Sequence, residues 1–406
     1  MTQMTGKRRI VVESTSMACT RRRIIRRTVR LLAFTAILAW IPAALADMEA
    51  SFQGLGDLVG GSFSSHAWSV SADGSAVVGS SYSGSGTEAF RWQGGAMTGL
   101  GDLPGGNFTS YAYGVSGDGS VVVGSGNNAS RDAEGFRWEG GVMMGLGDLP
   151  VSIDPSHAYG VSADGSVVVG HGYGANGKEA FRLQGGVTTG LGDLAGGIFS
   201  STARAVSADG SVIVGTSQSA SGDEAFRWKD GTMTGLGDLA GGVFGSRALG
   251  ISADGGVVVG NSYSASGSEA FRWEGGVMTG LGDLDGGMFS SRAYAASGDG
   301  SVVVGHGYSE LGQEAVIWNE VFGMRSLSDL LTTEYGLDLT GWFLNSAHGI
   351  SANGLVVVGG GINPSGNPEA WMAKLPDLVP VPVPGAAILG VLGFAFAGMR
   401  LRRKHI

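Results

Sequence analysis

Cysteine, proline and charge are scarce in this chain of 406 residues, which contains one Cys, 10 Pro and 15% charged residues. The single cysteine, Cys19, excludes a disulfide framework within the chain, and neither a Cys pair nor an HExxH motif supports a zinc site. The combination of 75 Gly with only 10 Pro excludes collagen, in which both residues are frequent. The hydrophobic content of 43% is high enough to bury a core, so general disorder is excluded too.

Basic residues are concentrated at the two ends of the chain. Nine Lys and Arg precede residue 47 and four follow residue 399, which leaves 13 basic and 34 acidic residues between them, a formal charge of −21. Nucleic-acid binding requires clustered Lys and Arg that meet the phosphates. The acidic body is therefore not predicted to bind nucleic acid or anionic membrane surfaces, whereas cations, neutral glycans and basic partners stay open as ligands.

The N-terminal segment has the layout of a signal peptide. Residues 21–30 are basic, residues 31–41 are apolar, and Ala44 and Ala46 are the small residues that signal peptidase recognises before a cleavage site. The apolar run is shorter than the roughly 20 residues that span a bilayer. We therefore expect residues 1–46 to be a signal peptide removed by signal peptidase; an uncleaved membrane anchor is the alternative.

The C-terminal segment combines prolines, an apolar run and a basic tail. Residues 376–384 form a Pro-rich spacer, and residues 385–406 combine an apolar helix with basic residues. This order resembles the PEP-CTERM class of bacterial sorting signals, with Val383 in place of the Glu of the name-giving motif. The resemblance implies an exosortase-like processing enzyme, membrane insertion of the helix before processing, and an extracellular or cell-surface body in a Gram-negative bacterium. A simple C-terminal transmembrane anchor is the alternative.

The body between the two ends is one sequence unit repeated at a period of 45 or 46 residues, which marks a repeat architecture. The segment GLGDL, or SLSDL in its last copy, begins at Gly54, Gly99, Gly145, Gly190, Gly235, Gly280 and Ser326. A second block, close to VSADGSVVVG, has its turn residue at Asp73, Asp118, Asp164, Asp209, Asp254, Asp299 and Asn353. A third block, close to EAFRW, begins at Glu88, Glu134, Glu179, Glu224, Glu269, Glu314 and Glu369.

Each unit has the pattern of four short strands. Asp254-Gly255 predicts a two-residue hairpin turn between the first and second strands, and Gly275-Gly276 predicts another between the third and fourth. A four-stranded antiparallel unit of this length is typical of a β-propeller blade. The predicted strands of this unit are residues 248–253, 256–260, 269–273 and 277–284.

The array begins and ends with parts of a unit. Residues 50–58 form a lone fourth strand, and the three predicted strands at 347–351, 355–359 and 369–375 have no fourth. Pairing these parts would complete one blade and leave no open sheet edge. We therefore predict that residues 47–375 form an all-β, monomeric, seven-bladed β-propeller of four-stranded antiparallel blades, closed by the N-terminal strand.

Three phrases recur along the body: GLGDLPGG at 99–106, VSADGSVVVG at 161–170 and EAFRWEGG at 269–276. Together they resemble the HAF family of probable extracellular repeat proteins. The resemblance implies an extracellular location and no particular reaction. The last unit departs most from the pattern, because it carries an eight-residue insertion between residues 326 and 350.

An aspartate follows the predicted fourth strand of every unit, and two interpretations are open for it. Carboxylates are preferred calcium ligands, so a calcium site is one hypothesis. A residue that recurs in every unit is more often structural, either capping turn amides or pairing with the Arg of the EAFRW block, and on that interpretation no metal or cofactor is bound. The candidate calcium ligands are Asp57, Asp102, Asp148, Asp193, Asp238 and Asp283.

Two positions of the first strand, on either side of a recurrent Ala, vary between units. First strands line the central channel of a propeller, where aromatic and Arg side chains can stack on sugars or anchor a polypeptide. Variation tolerated without any ligand is the alternative. The candidate ligand-binding residues are His66, Trp68, Tyr111, Tyr113, His157, Tyr159, Arg204, Arg247, Arg292, Tyr294 and His348.

Three functions fit these observations. The leading hypothesis is a secreted or surface-anchored, non-enzymatic interaction or adhesion module that binds extracellular polysaccharide or protein. A propeller-type polysaccharide hydrolase or lyase and a purely structural matrix protein are the alternatives. Nearly uniform repeats argue against an enzyme, because catalysis needs residues unlike their counterparts; in an enzyme, Glu320, Glu334 or Asp338 of the unusual last unit would matter.

Overall fold

The computed structural model of the protein describes residues 49–130, 133–147 and 155–376. These described residues all belong to one compact unit. The predicted signal peptide, the segment 385–406, nearly all of the Pro-rich spacer and Asp148 lie outside the described residues. Within the three described ranges, no helix is both long enough and apolar enough to cross a membrane.

Short antiparallel strands in groups of four dominate the described residues, so the predicted all-β class is confirmed. The first strands of the groups are β2 (Gly60–Val70), β6 (Gly105–Val115), β10 (His157–Val161), β14 (Gly196–Val206), β18 (Gly241–Ile251), β22 (Arg292–Ala296) and β26 (Phe343–Ile350). The second strands are β3 (Ala76–Ser83), β7 (Val121–Asn128), β11 (Val167–Gly174), β15 (Val212–Ser219), β19 (Val257–Ser264), β23 (Val302–Ser309) and β27 (Val356–Ile362).

The third and fourth strands of each group follow the same order. The third strands are β4 (Gly86–Gln93), β8 (Ala133–Glu139), β12 (Gly177–Gln184), β16 (Gly222–Lys229), β20 (Gly267–Glu274), β24 (Gly312–Asn319) and β28 (Pro368–Lys374). The fourth strands are β5 (Ala96–Gly99), β9 (Val142–Gly145), β13 (Val187–Gly190), β17 (Thr232–Gly235), β21 (Val277–Gly280), β25 (Gly323–Ser326) and, for the last group, β1 (Ser51–Gly54).

Strand β1 is the N-terminal strand, and it pairs antiparallel with β28, the last strand of the described chain. Ser51 lies opposite Lys374 and Gly54 opposite Trp371, and beyond the strand the Leu55 N–H donates to the Ala370 carbonyl at 2.8 Å. The strand is shorter than the predicted 50–58 because Leu55 and Leu58 turn inward and are buried in a core cluster.

The hydrophobic core lies between successive groups. The Val-rich second strands are buried on both faces, as expected for strands that are covered on either side. One cluster joins Val214 and Ala225 of one group to Ala248, Val258 and Phe271 of the next. Stacking the groups therefore buries apolar surface that a single group would leave exposed.

The two predicted hairpin turns have different outcomes. Gly275 and Gly276 connect β20 to β21 with φ values of 57° and 92°, so the two-residue turn predicted there is confirmed. The two-residue turn predicted at Asp254-Gly255 is wrong, because residues 252–256 all lie between β18 and β19. The Asp254 carboxylate accepts from the Gly256 N–H at 2.9 Å and from the Ser252 hydroxyl at 2.6 Å, which stabilises the longer loop.

Hydrogen bonds between turns connect each group to the next. A backbone N–H in the loop after each first strand donates to the carbonyl of the equivalent loop in the following group, and the last loop donates to the first. These bonds measure 2.8–3.4 Å between N and O. They run from Asp73 to Gly117, Gly117 to Ala163, Ala163 to Ala208, Ala208 to Ala253, Ala253 to Gly298, Gly298 to Ala352 and Ala352 to Ala72.

A serine in the first strand, or immediately before it, provides a second connection between groups. Its hydroxyl accepts a backbone N–H from the third strand of the preceding group, as Ser110 does from Ala89 at 2.9 Å. Ser65 accepts from Ala370 at 3.0 Å and donates to the Gly56 carbonyl, so the first and last groups are joined in the same way. Equivalent bonds are made by Ser156, Ser201, Ser246 and Ser291.

The insertion in the last unit forms the helical part of the described residues. It contains a short helix, α1 (Leu327–Asp329), that continues as a π-helical turn over Leu330–Glu334. Leu327, Leu330 and Leu331 are buried in a cluster that includes Trp371. The insertion therefore enlarges the core between the last two groups.

Candidate ligand-binding channel

The recurrent glutamate of the EAFRW block has a structural role. Glu88 accepts the Gly101 N–H at 3.0 Å, and its carboxylate fills the space beside Gly99, where a Cβ atom would come within 2.2 Å of it. In the last GLGDL-like segment Ser326 replaces this glycine and donates its hydroxyl to Glu314 at 2.9 Å. The same N–H bond is accepted by Glu134, Glu179, Glu224, Glu269 and Glu369.

The five candidate calcium ligands that the structure describes do not gather around a common point. Asp102 accepts the N–H groups of Leu103 and Thr109 at 2.8 and 2.6 Å, and Asp283 makes the equivalent bonds in its own unit. In the three described ranges, no group of three or more His, Cys, Asp and Glu could hold a metal ion. The other candidates, Asp57, Asp193 and Asp238, occupy the equivalent places in separate units.

Among the residues that the structure describes, no ion pair joins the recurrent arginine to these recurrent acidic residues, which the sequence offered as one interpretation. Arg91 donates through Nε to the Gly119 carbonyl at 2.8 Å, and Arg272 donates in the same way to Gly300 at 3.1 Å. The acceptor is the turn glycine of the following unit, so the arginine connects neighbouring units. Repetition alone identified a structural residue, but it could not tell which neighbour the side chain reaches.

The second variable position of the first strand lines a central cavity of about 270 Å³. Every unit contributes one side chain to this channel, and those named from the sequence are half-buried. The seven residues are Trp68, Tyr113, Tyr159, Arg204, Leu249, Tyr294 and His348. The structure therefore brings together six of the eleven candidate residues around one space.

Aromatic contacts run around most of the channel wall. The ring centroids of Tyr294 and His348 lie 4.4 Å apart, and those of His348 and Trp68 lie 4.8 Å apart. Tyr113 continues the series at 6.4 Å from Trp68 and 5.3 Å from Tyr159, and the Arg204 guanidinium lies 4.3 Å from the Tyr159 ring centroid. Leu249 interrupts the series, so the wall is strongly asymmetric.

The residues at the first variable position do not line this cavity, but three of them contact residues that do. His66 lies 4.1 Å from Trp68 between ring centroids, Tyr111 stacks on Tyr113 at 6.2 Å and His157 on Tyr159 at 5.8 Å. Arg247 pairs with Asp223 at 2.7 Å, and Arg292 lies opposite His306 in the strand register. Of the remaining five candidate residues, His66, Tyr111 and His157 thus lie directly behind channel residues, whereas Arg247 is exposed.

Sequence reasoning missed a third set of residues, on the second strand. They lie opposite the first variable position in the strand register, and they vary from unit to unit. Each of them directly follows the VVVG phrase or its equivalent, so comparing that position between units would have identified them from the sequence. The set consists of Ser80, Ser125, His171, Thr216, Asn261, His306 and Gly360.

Several buried ring and guanidinium nitrogens around the channel have no hydrogen-bond partner among the described residues. They include His66 Nε2, Trp68 Nε1, His306 Nδ1 and Arg292 Nε. A buried polar atom without a partner is unfavourable by roughly 1–3 kcal/mol, so such atoms are rare in folded proteins. Of these four, only Trp68 belongs to the channel wall, and the other three residues lie behind it.

Two largely buried histidines behind the channel wall, His66 and His306, predict a loss of stability in mild acid. Burial lowers the pKa of His66 and of His306 from about 6.5 to about 4. Between pH 6.5 and pH 4 the unfolded chain takes up protons at these histidines and the folded chain does not. The free energy of unfolding therefore has its full value above pH 6.5 and decreases as the pH falls towards 4. Each histidine contributes roughly 1.4 kcal/mol per pH unit in that window. Urea unfolding measured at pH 7, 6, 5 and 4.5 tests this expectation.

The control for this prediction is the double variant His66→Gln and His306→Gln, which should reduce the slope between pH 6.5 and 4 without abolishing it, because burial also lowers the pKa of His157, His171 and His348. The turn aspartates titrate in another window, since hydrogen bonds lower the pKa of Asp118 and Asp164 to about 2. Their contribution is lost only below pH 4. A slope that stays the same in the double variant would contradict the assignment to these histidines.

A separate groove of about 630 Å³ lies beside the helical insertion. Of the three residues named for the enzyme hypothesis, Glu334 lines this groove and pairs with Arg325 at 2.6 Å. Glu320 and Asp338 are exposed and do not line it. The structure therefore does not assemble these three carboxylates into one site.

No protein-family model matches the chain, and no curated protein matches it. Among solved structures, the chain is similar to TolB from Acinetobacter baumannii with a TM-score of 0.42 and 11% identity, over 63% of this chain and 60% of that one. It is similar to the β-propeller domain of the Trilobed protease from Pyrococcus furiosus with a TM-score of 0.44 and 10% identity, over 73% of this chain and 90% of that one. A gluconolactonase, XC5397 from Xanthomonas campestris, gives a TM-score of 0.38 and 14% identity over 82% and 93% of the two chains.

Proposed function

We propose that this protein is a secreted or surface-anchored, non-enzymatic module that binds an extracellular polysaccharide in its central channel. The proposal includes a monomeric, closed seven-bladed β-propeller with β1 as the closing strand. It also includes export directed by residues 1–46 and sorting through an exosortase-like enzyme that recognises residues 376–406, with the repeats of the HAF type. The observation that carries the binding function is the arc of aromatic and polar side chains around the channel.

The closed propeller is supported by two independent sets of contacts. The turn-to-turn hydrogen bonds run from each unit to the next and from Ala352 back to Ala72 at 3.0 Å. The serine connections include Ser65, which joins β2 to Ala370 of β28 at 3.0 Å. A linear array would leave strand edges and turn amides of its end units without partners, and edges of that kind favour aggregation.

Polysaccharide is the ligand class that matches the chemistry of the channel wall. Sugar rings present an apolar C–H face that packs on aromatic rings, and their hydroxyls donate and accept hydrogen bonds. Trp68, Tyr113 and Tyr159 provide neighbouring aromatic rings, and the Arg204 guanidinium and the unpartnered indole nitrogen of Trp68 are polar groups of the same wall. Glycoside hydrolysis usually requires a pair of carboxylates, and no Asp or Glu is among the described residues that line this cavity. The aromatic and polar lining therefore fits binding of a sugar better than its hydrolysis.

The test is a glycan array probed with the purified protein and with a double variant, Trp68→Ala plus Tyr113→Ala. We expect specific binding by the protein and a loss of at least tenfold in affinity for the variant, because buried aromatic anchors dominate binding energy. The matched control is Phe322→Ala, which removes an aromatic side chain that is 49% exposed at an outer hairpin. Binding that survives the double substitution would refute the channel as the site.

A further inference from the structure

A polar pocket of about 220 Å³ adjoins the central channel between β12, β14, β15 and β18. Arg204 and Leu249 line both the pocket and the channel, so a ligand in the channel can extend into the pocket. The wall of the pocket also contains the paired threonines Thr202 and Thr216, which lie opposite each other in the strand register. The pocket is thus an extension of the channel on the side where the aromatic series ends.

Three basic side chains converge on this pocket from three different positions of the repeat. Arg204 occupies the second variable position of its unit, Arg247 the first, and Lys178 lies at the start of a third strand. At the position of Lys178 the other described units have no basic residue. Those counterparts are Thr87, Ala133, Asp223, Ser268, Gln313 and Pro368. The other units fold without a basic residue at this position, so the positive charge here is not needed for the fold. A ligand site is a common reason for such a departure from the repeat.

One carboxylate, that of Asp223, lines the pocket and leaves an excess of two positive charges. It accepts from Arg247 Nη2 at 2.7 Å and from the Gln218 amide. Burial lowers the pKa of Lys178, the nearby Arg204 charge lowers it further, and Asp223 opposes the shift. Lys178 and Arg204 thus repel each other in a half-buried place, and a bound anion would relieve that repulsion.

The overall charge of the body does not oppose an anion at this place. The formal charge of −21 between residues 47 and 399 is spread over the whole body. Charges further apart than about 10 Å are largely screened at ordinary salt concentrations. A small anion therefore responds to the four charged groups of the pocket. The net charge of the body alone therefore does not exclude an anionic ligand in this pocket.

We propose that this pocket binds an oxyanion on a sugar, a uronate carboxylate or a sulfate ester, so that the polysaccharide of the channel is acidic. The proposal rests on the polysaccharide-binding function proposed above. The planar guanidinium groups of Arg204 and Arg247 can donate paired hydrogen bonds to such a group, and Lys178 adds a third cation. The adjacent sugar rings would then lie along Tyr159 and Tyr113.

The experiment measures the affinity of the full chain for three probes: tetragalacturonate, its methyl ester, and a sulfated galactose tetrasaccharide. At least one charged probe should bind about tenfold more tightly than the ester, and 0.5 M salt should weaken that preference. The preferred charged probe identifies the oxyanion. Equal binding of the ester and both charged probes would overturn the acidic-ligand proposal while leaving polysaccharide binding intact. Failure of all three probes and of the glycan array would count against both.

Substitutions in the pocket test whether it causes the preference for a charged probe over the ester. Lys178→Gln should reduce the affinity for the preferred charged probe by about tenfold and leave the affinity for the ester unchanged, which also reports that the channel is folded. Asp223→Asn should increase affinity for the charged probe severalfold, because it removes the opposing carboxylate. The matched control is Lys229→Gln, which makes the same change at an exposed position outside the pocket. A charged-probe preference that is equal in all four proteins would overturn the assignment.

Discussion

Replacing Gly260 by Ala is expected to destabilise the protein by on the order of 3 kcal/mol or more, a large part of the stability of a typical domain. An added Cβ atom at this position would lie 1.9 Å from the Arg247 carbonyl oxygen and 3.0 Å from Cε1 of Phe271. The first contact is with backbone, so relief requires strands β18 and β19 to separate. Urea unfolding of the variant and of the parent protein measures the difference.

The control for Gly260 lies four residues earlier in the same unit. Gly256 has an ordinary φ and stands where five other units have Ser, and those serines donate to the turn aspartate, as Ser120 does to Asp118 at 2.7 Å. Gly256→Ser should therefore be neutral or should stabilise the protein by about 0.5–1 kcal/mol. If the two substitutions had similar effects, the close approach at Gly260 would not be the cause of the loss.

The glycine of the VVVG phrase shows how far the sequence predicts this fold. Its recurrence in every unit is visible in the sequence, where glycine most often indicates a turn. The actual reason at this position is different, because the glycine lies inside a strand where the carbonyl of the first strand comes within 1.9 or 2.0 Å of a Cβ position. Contacts between strands far apart in the sequence decide such a constraint, and a single sequence does not contain their distances.

The candidate site was only partly predictable from the sequence, because some of its residues come together only through contacts between different units. The alternation around the recurrent Ala identified Trp68, Tyr113 and Tyr159, because alternate residues of a strand face the same side. Lys178 was missed, since it lies outside the first strand and reaches the pocket only through the packing of two neighbouring units. Residues of the first strand were therefore predictable from periodicity, whereas those contributed by adjacent units required the structure.

Removing the N-terminal strand is expected to have the second large effect. A chain without residues 49–58 loses the pairing of β1 with β28 and the buried side chains of Leu55 and Leu58. It also leaves the Glu369 carboxylate, which is 8% exposed, without the Gly56 N–H that donates to it at 2.9 Å. Two leucines alone contribute roughly 3–6 kcal/mol by burial, so we expect loss of cooperative unfolding together with aggregation through the exposed edge of β28.

A peptide of residues 49–58 added to the truncated chain tests whether the strand acts as a closing element. Because its contacts are made with β28 and with the core between the first and last units, the peptide should bind in trans and restore a cooperative thermal transition. The matched control is the same peptide with Leu55 and Leu58 replaced by Ala, which retains the strand but loses the buried anchors. A truncated chain that unfolds like the parent protein without any peptide would mean that β1 pairing does not hold the first and last units together.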